Sequence, residues 1–311
     1  MKRKILIGAL ATGFTLIVTL LVVKVFADSR FYAGYDAALP LNAEVQPATV
    51  EDGFKRVAFY YDSVPGERVP GVMALPKTGD GPFPCIIFLH GIGQSKGFLD
   101  EVAKPFADAG FALVSFDQYM RGERRITSKN PLVQASAFRR RGALTVIDTR
   151  RLIDYLVTRP DIAKDRIYLV GASYGAITGA TAVAFEPRIK AAVLTYGGGR
   201  LPLLLDSNAA SSELGMFSGP LAYIGAFFLS PSDPEKYVGR ISPRPLLFQN
   251  GVEDSLVPAA SAIALQNAAN DPKDIVWYEG DHVGFDEEAT SRVLNDALKW
   301  IMKHDKTGAK A

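Results

Sequence analysis

Short apolar runs without polar alternation recur along the chain at residues 85–89, 112–116, 167–170, 191–195, 245–249 and 275–278. Strands buried on both faces read this way, because neither row of side chains meets water, and such strands belong to mainly parallel sheets. Between them, at about 98–109, 135–158, 176–185, 259–269 and 287–303, apolar residues fall at helical spacing. In the last stretch Val293, Leu294, Ala297, Leu298, Ile301 and Met302 form one stripe. Strand-then-helix alternation predicts an α/β fold, with a mainly parallel, doubly wound sheet, right-handed crossovers and helices on both faces. Ahead of it, residues 56–61 and 69–75 flank the turn signal Pro65-Gly66 and read as an antiparallel pair.

Three stretches break the rhythm. Residues 198–243 separate two strands yet carry Leu201 to Leu205 and then Phe217, Leu221, Tyr223, Ile224, Phe227, Phe228 and Leu229, too apolar for a solvated loop. They predict a helical cap over the carboxyl end of the sheet. Residues 28–50, with Pro40 and Pro47, read as a linker or a surface-hugging lead-in to a folded domain over 51–305, and 306–311 as a tail. At the start, Lys2, Arg3 and Lys4 precede an uncharged stretch of 19 residues from Ile5 to Val23. As a helix it spans about 28 Å, close to the thickness of a bilayer core. Positive charge before it holds the N-terminus in the cytoplasm and sends the rest of the chain across the membrane. Residues 1–27 are either an uncleaved signal-anchor or a signal peptide removed after Ala27, leaving a secreted or periplasmic protein.

Composition narrows the field. With 311 residues, 48% hydrophobic and 22% charged, the chain suits one large core with an appendage. A net charge of +2 gives no footprint for nucleic acid. Arg139, Arg140, Arg141, Arg150 and Arg151 gather on one predicted helix and read as a solvated face. Cys85 is the single cysteine, so there is no disulfide framework and no thiolate zinc site; within an apolar strand it reads as an inert core thiol.

The chemistry concentrates at Gly171-Ala172-Ser173-Tyr174-Gly175, directly behind the strand at 167–170. Small residues around a serine between a strand and a helix predict a sharp turn that lifts the hydroxyl into an open cleft. A serine needs a base to take its proton, and the base needs a third group to fix its tautomer. Three histidines exist. His304 sits in a charged tail and His90 ends a strand before Gly91-Ile92-Gly93, whereas His282 follows the last strand and lands on the same sheet edge as Ser173. Asp254, just past the strand at 245–249, is the expected acid, with Glu253 as competitor; Asp281 adjoins His282 and is expected to be either solvated or a supporting group. The oxyanion formed on attack needs two preorganised donors, expected from the amides of Tyr174 and Ile92.

These residues resemble those of an α/β-hydrolase, and the likeness runs from about Phe54 to His304. It rests on the serine turn, the His90-Gly91 loop, and serine, aspartate and histidine in the family order. Phe116-Asp117 followed by Arg121-Gly122-Glu123-Arg124, and Asp254 followed by Val257-Pro258, are similar to the dienelactone-hydrolase-like and acetyl-esterase-like branch. Dienelactone hydrolases proper use cysteine where this chain has Ser173, and the cap is unusual for them. The resemblance implies a serine hydrolase that cleaves carboxylic esters of small molecules through an acyl-enzyme, with Ser173, Asp254 and His282 catalytic and no metal or organic cofactor required. A prolyl-oligopeptidase-like peptidase shares several features, although there is no room for the propeller that normally accompanies one. A non-catalytic binder on the same fold is the third reading. Arg121 and Arg124 either meet an acidic substrate group or form a structural ion pair.

Overall fold

Among the described residues, 2–206, 218–283 and 286–308, ten strands pair into one sheet in the computed structural model. They are β1 (Glu44–Val45), β2 (Thr49–Val50), β3 (Phe54–Asp62), β4 (Arg68–Pro76), β5 (Phe83–Leu89), β6 (Ala112–Phe116), β7 (Ile162–Ala172), β8 (Ile189–Thr195), β9 (Leu246–Gly251) and β10 (Lys273–Tyr278). The order is β1-β3-β4-β6-β5-β7-β8-β9-β10, with β2 also on β3. From β6 to β10 every pairing is parallel, while β3 and β4 form the expected antiparallel pair. The chain runs out from β5 to β6 and returns past β5 to β7. The strand order therefore reverses between β5 and β7, and a crevice opens outside their carboxyl ends.

Among the described residues eight α-helices accompany the sheet: α1 (Lys2–Ser29), α2 (Leu99–Asp108), α3 (Pro131–Leu156), α4 (Tyr174–Phe185), α5 (Leu201–Leu205), α6 (Ser218–Leu229), α7 (Ala259–Ala268) and α8 (Glu287–Gly308). Period-two alternation sends Ile87, Leu89 and Leu169 into a core with α3, α4 and α7, and Ile86, Phe88 and Val170 into a second core with α2 and α8. Helix α3 starts where its sequence dictates, since the Asn130 side chain accepts the Leu132 amide and Pro131 occupies the first turn. Helix α1 is long and apolar enough to cross a membrane. Helices α5 and α6 lie in the stretch read as a cap and pack on each other; Phe217 lies outside the described residues.

Three expectations change. The strand at 275–278 is not buried on both faces: Ile275, Val276 and Trp277 are exposed because β10 is a sheet edge. The lead-in is no free linker, as β1 and β2 pair with β3, and the buried Arg151 donates to the carbonyls of Leu39 and Pro40. The arginines of α3 do not form a solvated face either. Arg141 and Arg151 are fully buried, Arg139 pairs with Asp28, and Arg150 stacks over the Tyr35 ring. Helix α3 is sandwiched between α4 and the lead-in, so its polar side also faces protein.

Candidate active site

Ser173 occupies the turn between β7 and α4 with φ 55° and ψ −119°. That conformation costs a residue with a Cβ about 1–3 kcal/mol and persists only where the surroundings impose it. Here the Ser173 amide donates to the Thr195 carbonyl at 2.8 Å, pinning the turn to β8. A Cβ on Gly171 would lie 2.3 Å from the Gly175 oxygen, and one on Gly175 would lie 1.9 Å from the Leu89 oxygen. Strand and helix can close on the turn only with glycine at both positions.

The loops after β9 and β10 bring the acid and the imidazole together. His282 Nδ1 lies 2.8 and 2.9 Å from the two carboxylate oxygens of Asp254, and both side chains are almost fully buried. Asp254 Oδ1 also accepts the amides of Leu256 and Val257 at 2.9 and 2.8 Å, so its own loop fixes the carboxylate. The Tyr196 ring meets the imidazole edge-on at 5.5 Å. Glu253 is exposed, and its amide rather than its carboxylate engages this region, donating to the Gly280 carbonyl. Asp281 accepts the amides of Ser255 and His282 at 2.8 and 2.6 Å, tying the aspartate loop to the histidine loop. The Ser255 amide, with that of His282, holds its carboxyl below the usual carboxylate range. His282 and Ser173 line one cavity of about 230 Å3 with Gly91, Ile92, Thr195 and Leu256.

The loop after β5 is held by a buried polar chain that sequence reasoning missed. Gly91 donates to Gln94 Oε1 at 2.9 Å, and the His90 carbonyl accepts from Gln118 Nε2 at 2.9 Å. Gln118 Oε1 accepts from Arg141 Nη2 at 2.8 Å, while Arg141 Nη1 reaches the Ile92 carbonyl at 3.3 Å. The Arg141 guanidinium also lies 4.2 Å from the Tyr174 ring centroid. Arg141 is 1% exposed, and among the described residues no carboxylate pairs with it; burial lowers its pKa to about 10. One signal of this role was present, since 141, 144, 145 and 148 share the inward face of a helix. His90 is fully buried with Nδ1 2.9 Å from the Gly91 oxygen, and burial pushes its pKa down to about 4. Its place is structural. The amide of Tyr174 opens α4, where first-turn N–H groups lack intrahelical partners, and Ile92 joins Tyr174 and Ser173 in lining a second cavity.

That second cavity, also about 230 Å3, lies beneath the cap against Phe138, Ile177, Leu201, Leu204, Leu205 and Leu229. Ile92, Ser173 and Leu256 line both cavities, so the serine stands between two largely apolar chambers. Arg124 forms the structural ion pairs, with Asp148 at 2.7 Å and Glu67 at 2.8 Å. Cys85 is buried in the core and its thiol pKa is pushed up by burial. His304, inside α8 rather than beyond it, places Nδ1 2.9 Å from the Trp300 carbonyl.

A parallel sheet whose switch point carries this serine turn, with an aspartate–histidine pair on the next loops, defines an α/β-hydrolase. The chain belongs to the dienelactone hydrolase family, whose family model matches residues 69–305. It is 26% identical over 253 residues to esterase YjfP of Escherichia coli (strain K12), covering 76% of this chain and 95% of that one. Its fold is similar to acetyl xylan esterase 1 from Thermoanaerobacterium sp. JW/SL YS485, with TM-score 0.70, 19% identity, and coverage of 89% and 93% of the two chains. It is also similar to an acylaminoacyl peptidase from Pyrococcus horikoshii, at TM-score 0.63 and 16% identity, covering 80% of this chain but 41% of the peptidase.

Proposed function

We propose that this hydrolase, which its family marks as acting on ester bonds, cleaves carboxylic esters through an acyl-enzyme at Ser173. Ser173 Oγ attacks the acyl carbon, His282 takes its proton and returns it to the leaving alcohol, and Asp254 holds the imidazole tautomer. The developing oxyanion accepts the amides of Tyr174 and Ile92. Water, activated by His282, then attacks the acyl-serine and frees the acid. The observation that carries this reading is the buried Asp254–His282 pair at 2.8 Å, whose imidazole shares a cavity with a strained serine. The two apolar chambers favour an ester with apolar groups on both sides of the carbonyl, one chamber for the acyl part and one for the alcohol. A peptidase reading has less support, because the chain covers less than half of the peptidase it is similar to. Lys2, Arg3 and Lys4 in the first turn of α1, ahead of its uncharged stretch, favour a domain held outside the cytoplasm by one uncleaved helix. Hydrolysis of p-nitrophenyl butyrate by Ser173→Ala tests the assignment: a loss of about 10³-fold or more in kcat is expected, and undiminished turnover refutes it.

A further inference from the structure

Helix α6 carries no charged side chain and turns its large apolar residues outward. Ala222 and Ala226 are 4% and 7% exposed, whereas Leu221, Tyr223, Ile224, Phe227 and Phe228 are 45%, 69%, 65%, 54% and 42% exposed. A contiguous face of this kind marks a surface that another phase or partner covers.

The end of α1 identifies the cover. Lys24 is the first charge after the uncharged stretch from Ile5 to Val23, and so marks the depth at which a spanning α1 leaves the hydrocarbon. Its ammonium bonds the Ser230 hydroxyl at 2.8 Å, pairs with Asp28, and stands 4.4 Å from the Phe227 ring centroid. Arg139 of α3 also pairs with Asp28, donates to the Phe228 carbonyl and lies 5.2 Å from the Phe228 ring. Arg30 stacks on Phe26 at 4.3 Å. The residue that sets the membrane boundary therefore touches the exposed helix. Aromatic and aliphatic side chains among lysine and arginine at one level are the composition of a bilayer interface.

We propose that α6 is a membrane-interface helix: α1 and α6 together seat the domain on a phospholipid bilayer, and the chamber between the cap and Ser173 takes esters whose apolar group partitions into that bilayer. The route is short. Leu229 at the end of α6 and Leu201, Leu204 and Leu205 of α5 line the chamber that ends at Ser173. The proposal rests on the esterase reading of Ser173 and on an uncleaved α1, and adds to them a lipid surface as partner.

The test uses the full chain in phosphatidylcholine vesicles, with Ile224→Cys carrying an environment-sensitive fluorophore; the single native cysteine, Cys85, is buried. A control label replaces Lys164, exposed near the amino end of β7 and so on the opposite edge of the sheet. Emission at 224 should shift to the blue and be quenched by nitroxide-bearing lipids, with neither effect at 164, in both the active protein and Ser173→Ala. Identical behaviour at the two positions overturns the proposal. So does a shift at 224 that lipid nitroxides leave unquenched and that tracks dimer formation, or a mature chain beginning at Asp28. The optical signal does not depend on catalysis, so its presence alongside undiminished hydrolysis by Ser173→Ala would refute the esterase reading alone. As a second arm, Tyr223→Ser/Ile224→Ser should lower kcat/KM about tenfold for a long-chain ester dissolved in the vesicles, and leave p-nitrophenyl acetate in water within about twofold. Equal effects on the two substrates, including none, contradict the proposal.

Discussion

The Arg141 guanidinium lies 4.2 Å from the centre of the Tyr174 ring and, through Nη1, 3.3 Å from the Ile92 carbonyl. One buried cation thus touches both residues whose amides are proposed to bind the oxyanion. With no carboxylate beside it among the described residues, its desolvation is poorly compensated. Arg141→Met should therefore leave the urea midpoint nearly unchanged while lowering kcat about tenfold with little change in KM, because the two donors lose their alignment and not their identity. Arg141→Lys should rescue little, since a point charge cannot span Gln118, Ile92 and the ring together. A loss confined to KM, or full rescue by lysine, argues against a positioning role.

Adjacent carboxylates should separate by magnitude. Asp254→Ala removes the group at 2.8 Å from His282 and should lower kcat by about 10³–10⁴-fold. Asp281→Asn keeps one acceptor for the Ser255 and His282 amides and should cost about tenfold or less. Steady-state kinetics on a soluble ester checks both, and a reversal of their order would exchange the roles.

Acid should weaken the fold through His90. Burial holds its pKa at about 4 against an ordinary 6.5, so the unfolded chain takes up a proton that the folded chain refuses. The stabilising contribution is complete above about pH 6.5, declines as pH falls through that value, and is lost by about pH 4, a change of about 3 kcal/mol. His90→Gln should be less stable than wild type near pH 7, with the gap closing toward pH 4 in urea titrations. A gap independent of pH would mean that the ring titrates alike in the folded and unfolded chains, so that burial does not depress its pKa.

Much of this was legible in the chain. Continuous apolar runs gave away buried parallel strands, and small residues around Ser173 gave away a turn that the 1.9 Å approach at Gly175 explains. Asp254 and His282 could be picked because strand ends determine which loops share a sheet edge. Arg141 was missed because a run of arginines on a helix reads as solvated, although its register with Leu144, Thr145 and Asp148 puts it on the inward face. The exposure of Ile275 to Trp277 was hidden for a related reason: a sheet edge has the same local pattern as its centre, and only the pairing order distinguishes them.

The chamber beneath the cap should set chain-length preference. Leu204→Trp fills space beside Leu205 and Leu229, and should lower kcat/KM for p-nitrophenyl butyrate by about tenfold or more relative to acetate. A series of ester lengths checks it. Unchanged preference would assign the acyl group to the chamber beside His282 instead.

Covalent trapping tests the nucleophile most directly. A fluorophosphonate added to the purified protein should increase the intact mass by one adduct, map by peptide sequencing to Ser173, and abolish ester hydrolysis in proportion to labelling; His282→Ala should slow labelling by about 10³-fold or more. An adduct on another residue, or full hydrolytic activity in protein already labelled at Ser173, would contradict the mechanism.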